Sequence, residues 1–170
     1  MLQNLPTHGE WIVMIDGRSG SGKTSLAMML ADEARANVLH LEDLYPGWGG
    51  LREGSVAVAH ALRTGTYRRY DWHLQRHEHT DRDVPSLPLI IEGTGALTSQ
   101  NLAAARQCSS YVLGIWIDCP DGTRKRRALE RDGDTFRPHW DAWAAQEVVH
   151  IRAFQPEKLA DLNLRCCNEE

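Results

Sequence analysis

Eight consecutive residues, Gly17-Arg18-Ser19-Gly20-Ser21-Gly22-Lys23-Thr24, fit the pattern GxxxxGK[ST], and Ser25 comes next. An apolar run precedes them and a helical pattern succeeds them, which is the context a phosphate-binding loop needs. The glycines let the backbone turn tightly and approach an anion closely. Successive N–H groups of Ser19, Gly20, Ser21 and Gly22, with the helix start behind them, then form a concave anion site. Lys23 is a point charge for the β- and γ-phosphates of a nucleotide, and the Thr24 hydroxyl is placed to ligate Mg²⁺. The alternative is a glycine-rich turn that binds nothing, and strand, loop, lysine and helix in register weigh against it.

Three further sites carry groups suited to phosphoryl transfer. Glu42 and Asp43, in Glu42-Asp43-Leu44-Tyr45, come after the second apolar run. One of them could take a proton from an attacking hydroxyl or help hold Mg²⁺. Adjacent residues of an extended chain point to opposite sides, so only one of the pair is expected to do chemistry. Glu92 closes the apolar run Leu89-Ile90-Ile91 and could hold Mg²⁺ through water, or make a structural hydrogen bond. The stretch from Arg124 to Arg137 holds six basic and three acidic residues in a chain of net charge −4. Arg127 and Arg131 lie four apart, on one helix face. Their guanidinium groups suit a transferring phosphoryl group and could act from a closing lid, or form a solvated basic face.

These groups must be positioned by an alternation of short apolar runs and longer helical stretches, the pattern of βαβ units. Strands are expected at Trp11–Asp16, Asn37–Leu41, Leu87–Glu92, Tyr111–Asp118 and about Leu162–Cys166. Helices are expected at Lys23–Ala34, Ser55–Thr64, about Gln100–Gln107, Asp121–Arg131 and Trp140–Phe154, with a turn at Asp132–Asp134. Residues 66–86 have weak periodicity and read as an irregular excursion. Five strands with intervening helices make a three-layer α/β domain with a parallel sheet. Ligands of such sheets bind at the carboxyl ends of the strands, here just after Asp16, Leu41, Glu92 and Asp118.

The 170 residues suit one domain, with 42% hydrophobic and 25% charged residues. Lys and Arg number 19 against 23 Asp and Glu, which argues against a nucleic-acid partner. No apolar run reaches the length of a membrane span, and the N-terminus does not read as a signal peptide, so a cytoplasmic protein is expected. Cys108, Cys119, Cys166 and Cys167 form no CxxC pair and are expected as reduced thiols.

The ordered series GRSGSGKTS, EDLY, YDW, LIIEG and RRALERDG resembles the uridine–cytidine kinase branch of the P-loop kinases, to which phosphoribulokinase and bacterial pantothenate kinase are related. The resemblance covers most of the chain. It implies a single kinase domain with sheet order 2-3-1-4-5, an acceptor-side excursion at about 45–86 and a short arginine-rich lid at about 121–137. It implies ATP and Mg²⁺, a small-molecule acceptor, and transfer of the γ-phosphoryl to a hydroxyl. The family's catalytic aspartate falls on Glu42, a departure that leaves Asp43 as a second candidate. Its acceptor-binding aspartate matches Asp71, and its lid arginines match Arg127 and Arg131. The family's nucleobase-recognition hairpin is not evident in residues 66–86, and the chain is shorter than most uridine kinases.

Within the excursion, Tyr67, Tyr70, Trp72 and His73 offer flat rings for a base, and Asp71 offers a partner for hydroxyls. Arg68 and Arg69, with Arg52, would instead suit an acidic or phosphorylated acceptor. Tyr45, Arg68, Asp71 and Trp72 are thus the acceptor candidates, with Trp48 a further lining residue and Trp140 and Trp143 read as core. His73, His77 and His79 lie close in sequence, but a metal site is disfavoured because their surroundings are charged and no cysteine joins them. A nucleoside kinase is the first expectation. Kinases of a sugar acid, pantothenate or a nucleoside monophosphate, and a regulatory ATPase, are the rivals. A homo-oligomer is compatible with the sequence.

Overall fold

The computed structural model describes residues 9–166. Five parallel strands form the central sheet: β1 (Trp11–Gly17), β2 (Asn37–His40), β7 (Leu89–Glu92), β8 (Tyr111–Asp118) and β9 (Leu162–Arg165). Their spatial order is β2-β7-β1-β8-β9, which is 2-3-1-4-5 when these five are counted along the chain. β1 is central and wholly buried, as its continuous apolar run requires.

Alternation along β1 divides the core into two layers. Trp11, Val13 and Ile15 pack with Ala27, Leu30 and Ala31 of α1 (Lys23–Ala34). Ile12 and Met14 face the other way, toward α2 (Leu51–Thr64), α3 (Ser99–Cys108) and α5 (Trp140–Phe154). The buried partners there include Val58, Leu102, Trp140 and Trp143. α4 (Asp121–Phe136) adds Ala128 and Phe136 to this second layer, and α6 (Pro156–Leu159) leads into β9.

Residues 66–86 are more regular than the sequence suggests. β3 (Thr66–Tyr67) pairs antiparallel with β6 (Arg82–Asp83), and β4 (Tyr70–Asp71) with β5 (Arg76–His77). Two-residue strands are too short to show a period, so they are invisible in the pattern. α2 begins at Leu51, four residues before the expected start, because Gly54 packs directly against Tyr45 and does not break the helix. α4 runs through the expected turn at 132–134 to Phe136, with a break at Gly133 (φ 55°, ψ −131°).

The cysteine expectation is corrected at two positions. Cys119 and Cys166 are joined in a disulfide, with Cα atoms 5.2 Å apart. They lie just past the ends of adjacent parallel strands, and Cys166 N donates to Asp118 O. This proximity is set by sheet order and cannot be read from residues 47 positions apart. Cys108 is a free thiol, and Cys167 lies outside the described residues. No helix among the described residues is long and apolar enough to cross a membrane.

Candidate active site

The loop between β1 and α1 has the shape the glycines allow. Gly20 (φ 80°) and Gly22 (φ 98°) occupy the left-handed region. A side chain on Gly20 would run into the backbone of Arg124, so only glycine fits there. Gly22 caps α1 with no side-chain hydrogen bond, leaving the first N–H groups of the helix directed at the loop's concavity. Lys23 is buried, and its Nζ donates to Arg18 O at 3.1 Å, across the mouth of the loop. Burial lowers its pKa, while Glu92, Glu147 and Asp16 oppose the shift. Ser21 Oγ is buried in the loop without a hydrogen-bond partner. Gly17 ends β1, and Ser25 is exposed in the first turn of α1.

At the end of β7, Glu92 Oε1 accepts a hydrogen bond from Thr24 Oγ1 at 3.1 Å and lies 2.6 Å from His40 Nδ1. Burial pushes the Glu92 carboxyl up. The His40 hydrogen bond, the Lys23 charge and the Thr24 hydroxyl outweigh that and hold it below its ordinary value. The same bond raises the pKa of His40. An ionised carboxylate beside a hydroxyl at the loop's end is a donor set that suits a hard divalent cation.

Glu42 and Asp43 lie in one turn of 3₁₀ helix at Leu41–Asp43, not in extended chain, and take different partners. Glu42 lines the same cavity as Lys23, Thr24, Glu92 and Arg131. Burial raises the Glu42 pKa, Arg131 opposes the rise, and Asp132, Glu92 and Asp43 add to it. Asp43 turns away and pairs with Arg69 at 2.8 Å. Tyr45, Thr94, Phe136 and Trp143 close the cavity, which has a volume of about 90 Å³. Tyr45 is buried and its hydroxyl donates to Thr94 O at 2.8 Å. Trp143 is core, as read from sequence, and also lines the site.

Ser19, Gly20, Lys23, Thr24, Glu42, Tyr45, Glu92 and Arg131 therefore meet at one cavity. Arg131 also forms a two-pronged pair with Asp132. Arg127 does not line that cavity: its Nη1 lies 4.0 Å from Cys119 Sγ, at the base of α4. Asp71 is also elsewhere, and the expectation of a hydroxyl-binding role is revised. Its carboxylate accepts from the N–H groups of His73 and Leu74, capping the β4–β5 turn. Arg68 pairs with Asp81 at 3.1 Å and lines a separate surface pocket. Trp72 Nε1 donates to Glu42 O at 3.0 Å, so Trp72 supports the Glu42 turn from behind. Trp48 stacks on Phe136 and His139 and meets Trp72, backing the cavity with an aromatic cluster. Among the described residues no group of three or more His, Cys, Asp or Glu could hold a metal ion, His73, His77 and His79 included.

Sequence reasoning missed the supports. Asp16 is buried and accepts from Gly17, Gly95 and Leu97 N–H groups, joining the loop's start to the segment after β7. Burial lifts its pKa to about 6 against those hydrogen bonds. Glu147 of α5 accepts from Ser19 N at 2.6 Å, so the Ser19 N–H, expected among the anion-binding groups, is engaged by a carboxylate, and Gly20, Ser21 and Gly22 are left to supply the cradle. No spacing in the chain announces a contact spanning 128 positions.

No family model matches the chain. Among curated proteins, the cytidylate kinase of Methanococcoides burtonii is 26% identical over 126 residues, 74% of this chain and 65% of that protein. The match therefore spans just under two thirds of that relative's length. A solved structure of a possible uridine kinase from Bacillus stearothermophilus superposes with a TM-score of 0.62 at 22% identity, covering 96% of this chain and 92% of the other. The fold is that of the P-loop kinases. The APS kinase of Mycobacterium tuberculosis, solved with AMPPNP and APS, shares it with a TM-score of 0.55 at 19% identity, covering 96% and 92% of the two chains.

Proposed function

We propose that this chain is an ATP-dependent kinase that transfers the γ-phosphoryl group to a hydroxyl of a small metabolite, with a nucleoside as the first candidate. One observation carries the reading: Lys23 and Thr24 of the phosphate loop, Glu42, Glu92 and Arg131 converge on a single cavity. The solved relatives described as a possible uridine kinase and an APS kinase, and the likeness to a cytidylate kinase, support it.

In this reading the N–H groups of Gly20, Ser21 and Gly22 and the α1 N-terminus bind the phosphates, and Lys23 and Arg131 neutralise charge on the moving group. Thr24 and Glu92 would hold Mg²⁺, which when bound would supply further neutralisation of phosphate charge. Glu42 orients the acceptor hydroxyl and takes its proton as the oxygen attacks phosphorus and the bond to the bridging oxygen breaks. Tyr45, Phe136 and Trp143 exclude water around the transfer. Catalysis is chiefly positioning and electrostatics. A cytoplasmic location, where ATP is plentiful, goes with this activity.

An acidic or phosphorylated acceptor gains less support. Arg69 is engaged by Asp43 and Glu78, Arg68 by Asp81, and Arg52 lies in a groove between α2 and α5. The deciding assay is ADP release from Mg-ATP across nucleosides, nucleoside monophosphates, pantothenate and gluconate, with Lys23→Ala as the blank. Stimulation by a nucleoside, lost in the blank, is the expected result. Stimulation confined to an acidic acceptor would move the substrate class. Mg-ATP binding with no acceptor stimulating turnover would sink the kinase reading and favour a regulatory ATPase.

A further inference from the structure

Glu147 is fully buried on α5, and three groups from two other elements converge on it. Its Oε1 accepts from Ser19 N at 2.6 Å. Its Oε2 accepts from Arg18 Nε at 2.9 Å and lies 3.4 Å from Arg124 Nη1. Arg124 is itself buried in the first turn of α4, with its guanidinium 5.2 Å over the Trp140 ring. Asp121 takes the outer side of both arginines, at 2.9 Å from Arg18 and 2.8 Å from Arg124. Two cations and two carboxylates thus balance, and Glu147 is the member wholly removed from water.

A buried ion cluster of this kind is a poor source of stability, because desolvation consumes most of the attraction. Its value lies in fixing geometry. The Ser19 N–H is committed to Glu147, which sets the loop conformation from there through Gly20 to Lys23. Gly20 meanwhile packs on the backbone of Arg124, so the loop and α4 are fastened at two points. Arg131 stands seven residues beyond Arg124, about two helical turns along α4. The clamp therefore sets where Arg131 stands relative to Lys23, both of which line the cavity.

We infer that Glu147 is a positioning residue that locks the phosphate loop and the base of α4 into one register, so that Lys23 and Arg131 meet the nucleotide phosphates together. The inference rests on the kinase reading for its catalytic consequence, but its binding consequence is independent of any acceptor.

The test is calorimetric binding of Mg-AMPPNP and Mg-ADP to the whole chain and its variants, with turnover measured beside it. Glu147→Gln keeps an acceptor for Ser19 N and removes the charge; it should weaken Mg-AMPPNP binding about tenfold, and Glu147→Ala about a hundredfold. kcat/KM for ATP should fall in parallel, while the acceptor KM moves less than about twofold. Adding Arg124→Met to Glu147→Gln should cost less than the two single losses summed, because the stranded guanidinium is then gone. Should Glu147→Ala fail to fold, Glu147→Gln and the double variant carry the comparison. Variants that melt earlier yet bind Mg-AMPPNP like the parent would overturn the inference, leaving Glu147 a structural pin. A parent that binds nucleotide but phosphorylates no acceptor would defeat the kinase reading alone, and the binding series would still decide Glu147.

Discussion

Thr24 Oγ1 and Glu92 Oε1, 68 positions apart in the chain, lie 3.1 Å apart where β1 and β7 end side by side. His40 reaches the same oxygen from β2 at 2.6 Å. Glu92→Gln removes the charge that a divalent cation needs. The Mg²⁺ concentration for half-maximal activity should rise about tenfold or more, with kcat also reduced. A Mg²⁺ titration of turnover checks this; an unchanged midpoint would remove Glu92 from the metal site. Chelation of Mg²⁺ should abolish transfer by the parent protein.

Glu42 faces the cavity, whereas Asp43 is paired with Arg69. Glu42→Gln should lower kcat by about two to four orders of magnitude, the range of a lost general base. Asp43→Asn only releases Arg69 and should cost less than about fivefold. Because burial raises the Glu42 pKa, activity should fall as the pH drops through that raised value, where the carboxylate takes up its proton. A pH–kcat profile of Asp43→Asn should keep the acid limb of the parent but move it toward lower pH, because the Asp43 charge adds to the rise. Equal losses in the two single variants would contradict the assignment.

His150 is buried on α5 with Nε2 unpartnered, and burial lowers its pKa from 6.5 to about 4. Between those values the unfolded chain binds a proton there that the folded chain refuses. Stability should therefore fall as the pH drops from 6.5 toward 4. His150→Leu should flatten that dependence, as read from denaturant midpoints at several pH values. Parallel pH curves for parent and variant would show that acid lability arises elsewhere.

The Cys119–Cys166 bridge closes a loop with a separation of 47. On the chain-entropy account such a bridge is worth about 4 kcal/mol. Reduction, or Cys119→Ser, should lower the Tm by about 10 °C in a domain of this size. Calorimetry with and without reductant reads this directly, and a Tm indifferent to reductant would mean the bridge does not form in solution.

The phosphate loop, the five strands and five of the helices were legible in the chain because each is a local pattern. β1 reads as buried since both of its faces are apolar, and α5 appears with the bounds the apolar spacing predicts. Glu42, Glu92 and Arg131 could be named as candidates because a charged residue closing an apolar run, or repeated on a basic helix face, is itself a local signal. Residues at the carboxyl ends of parallel strands gather along one edge of the sheet, so even their convergence is a consequence of topology. The choice between Glu42 and Asp43 was not local: it depends on Arg69 capturing one of two adjacent carboxylates. Asp71 sits in a suggestive aromatic context, yet its Oδ1 accepts from the N–H groups of its own turn and it does not line the cavity, a placement two-residue strands do not advertise. Arg127 and Arg131 look equivalent at a spacing of four, and the packing of α4 sends only the second to the cavity. Glu147 and the disulfide left no trace at all, because contacts across 128 and 47 positions depend on which strands and helices lie side by side. Short-range stereochemistry wrote the elements and the loop into the sequence; the partners of each charge were decided only when the sheet order brought distant groups into a shared, water-poor space.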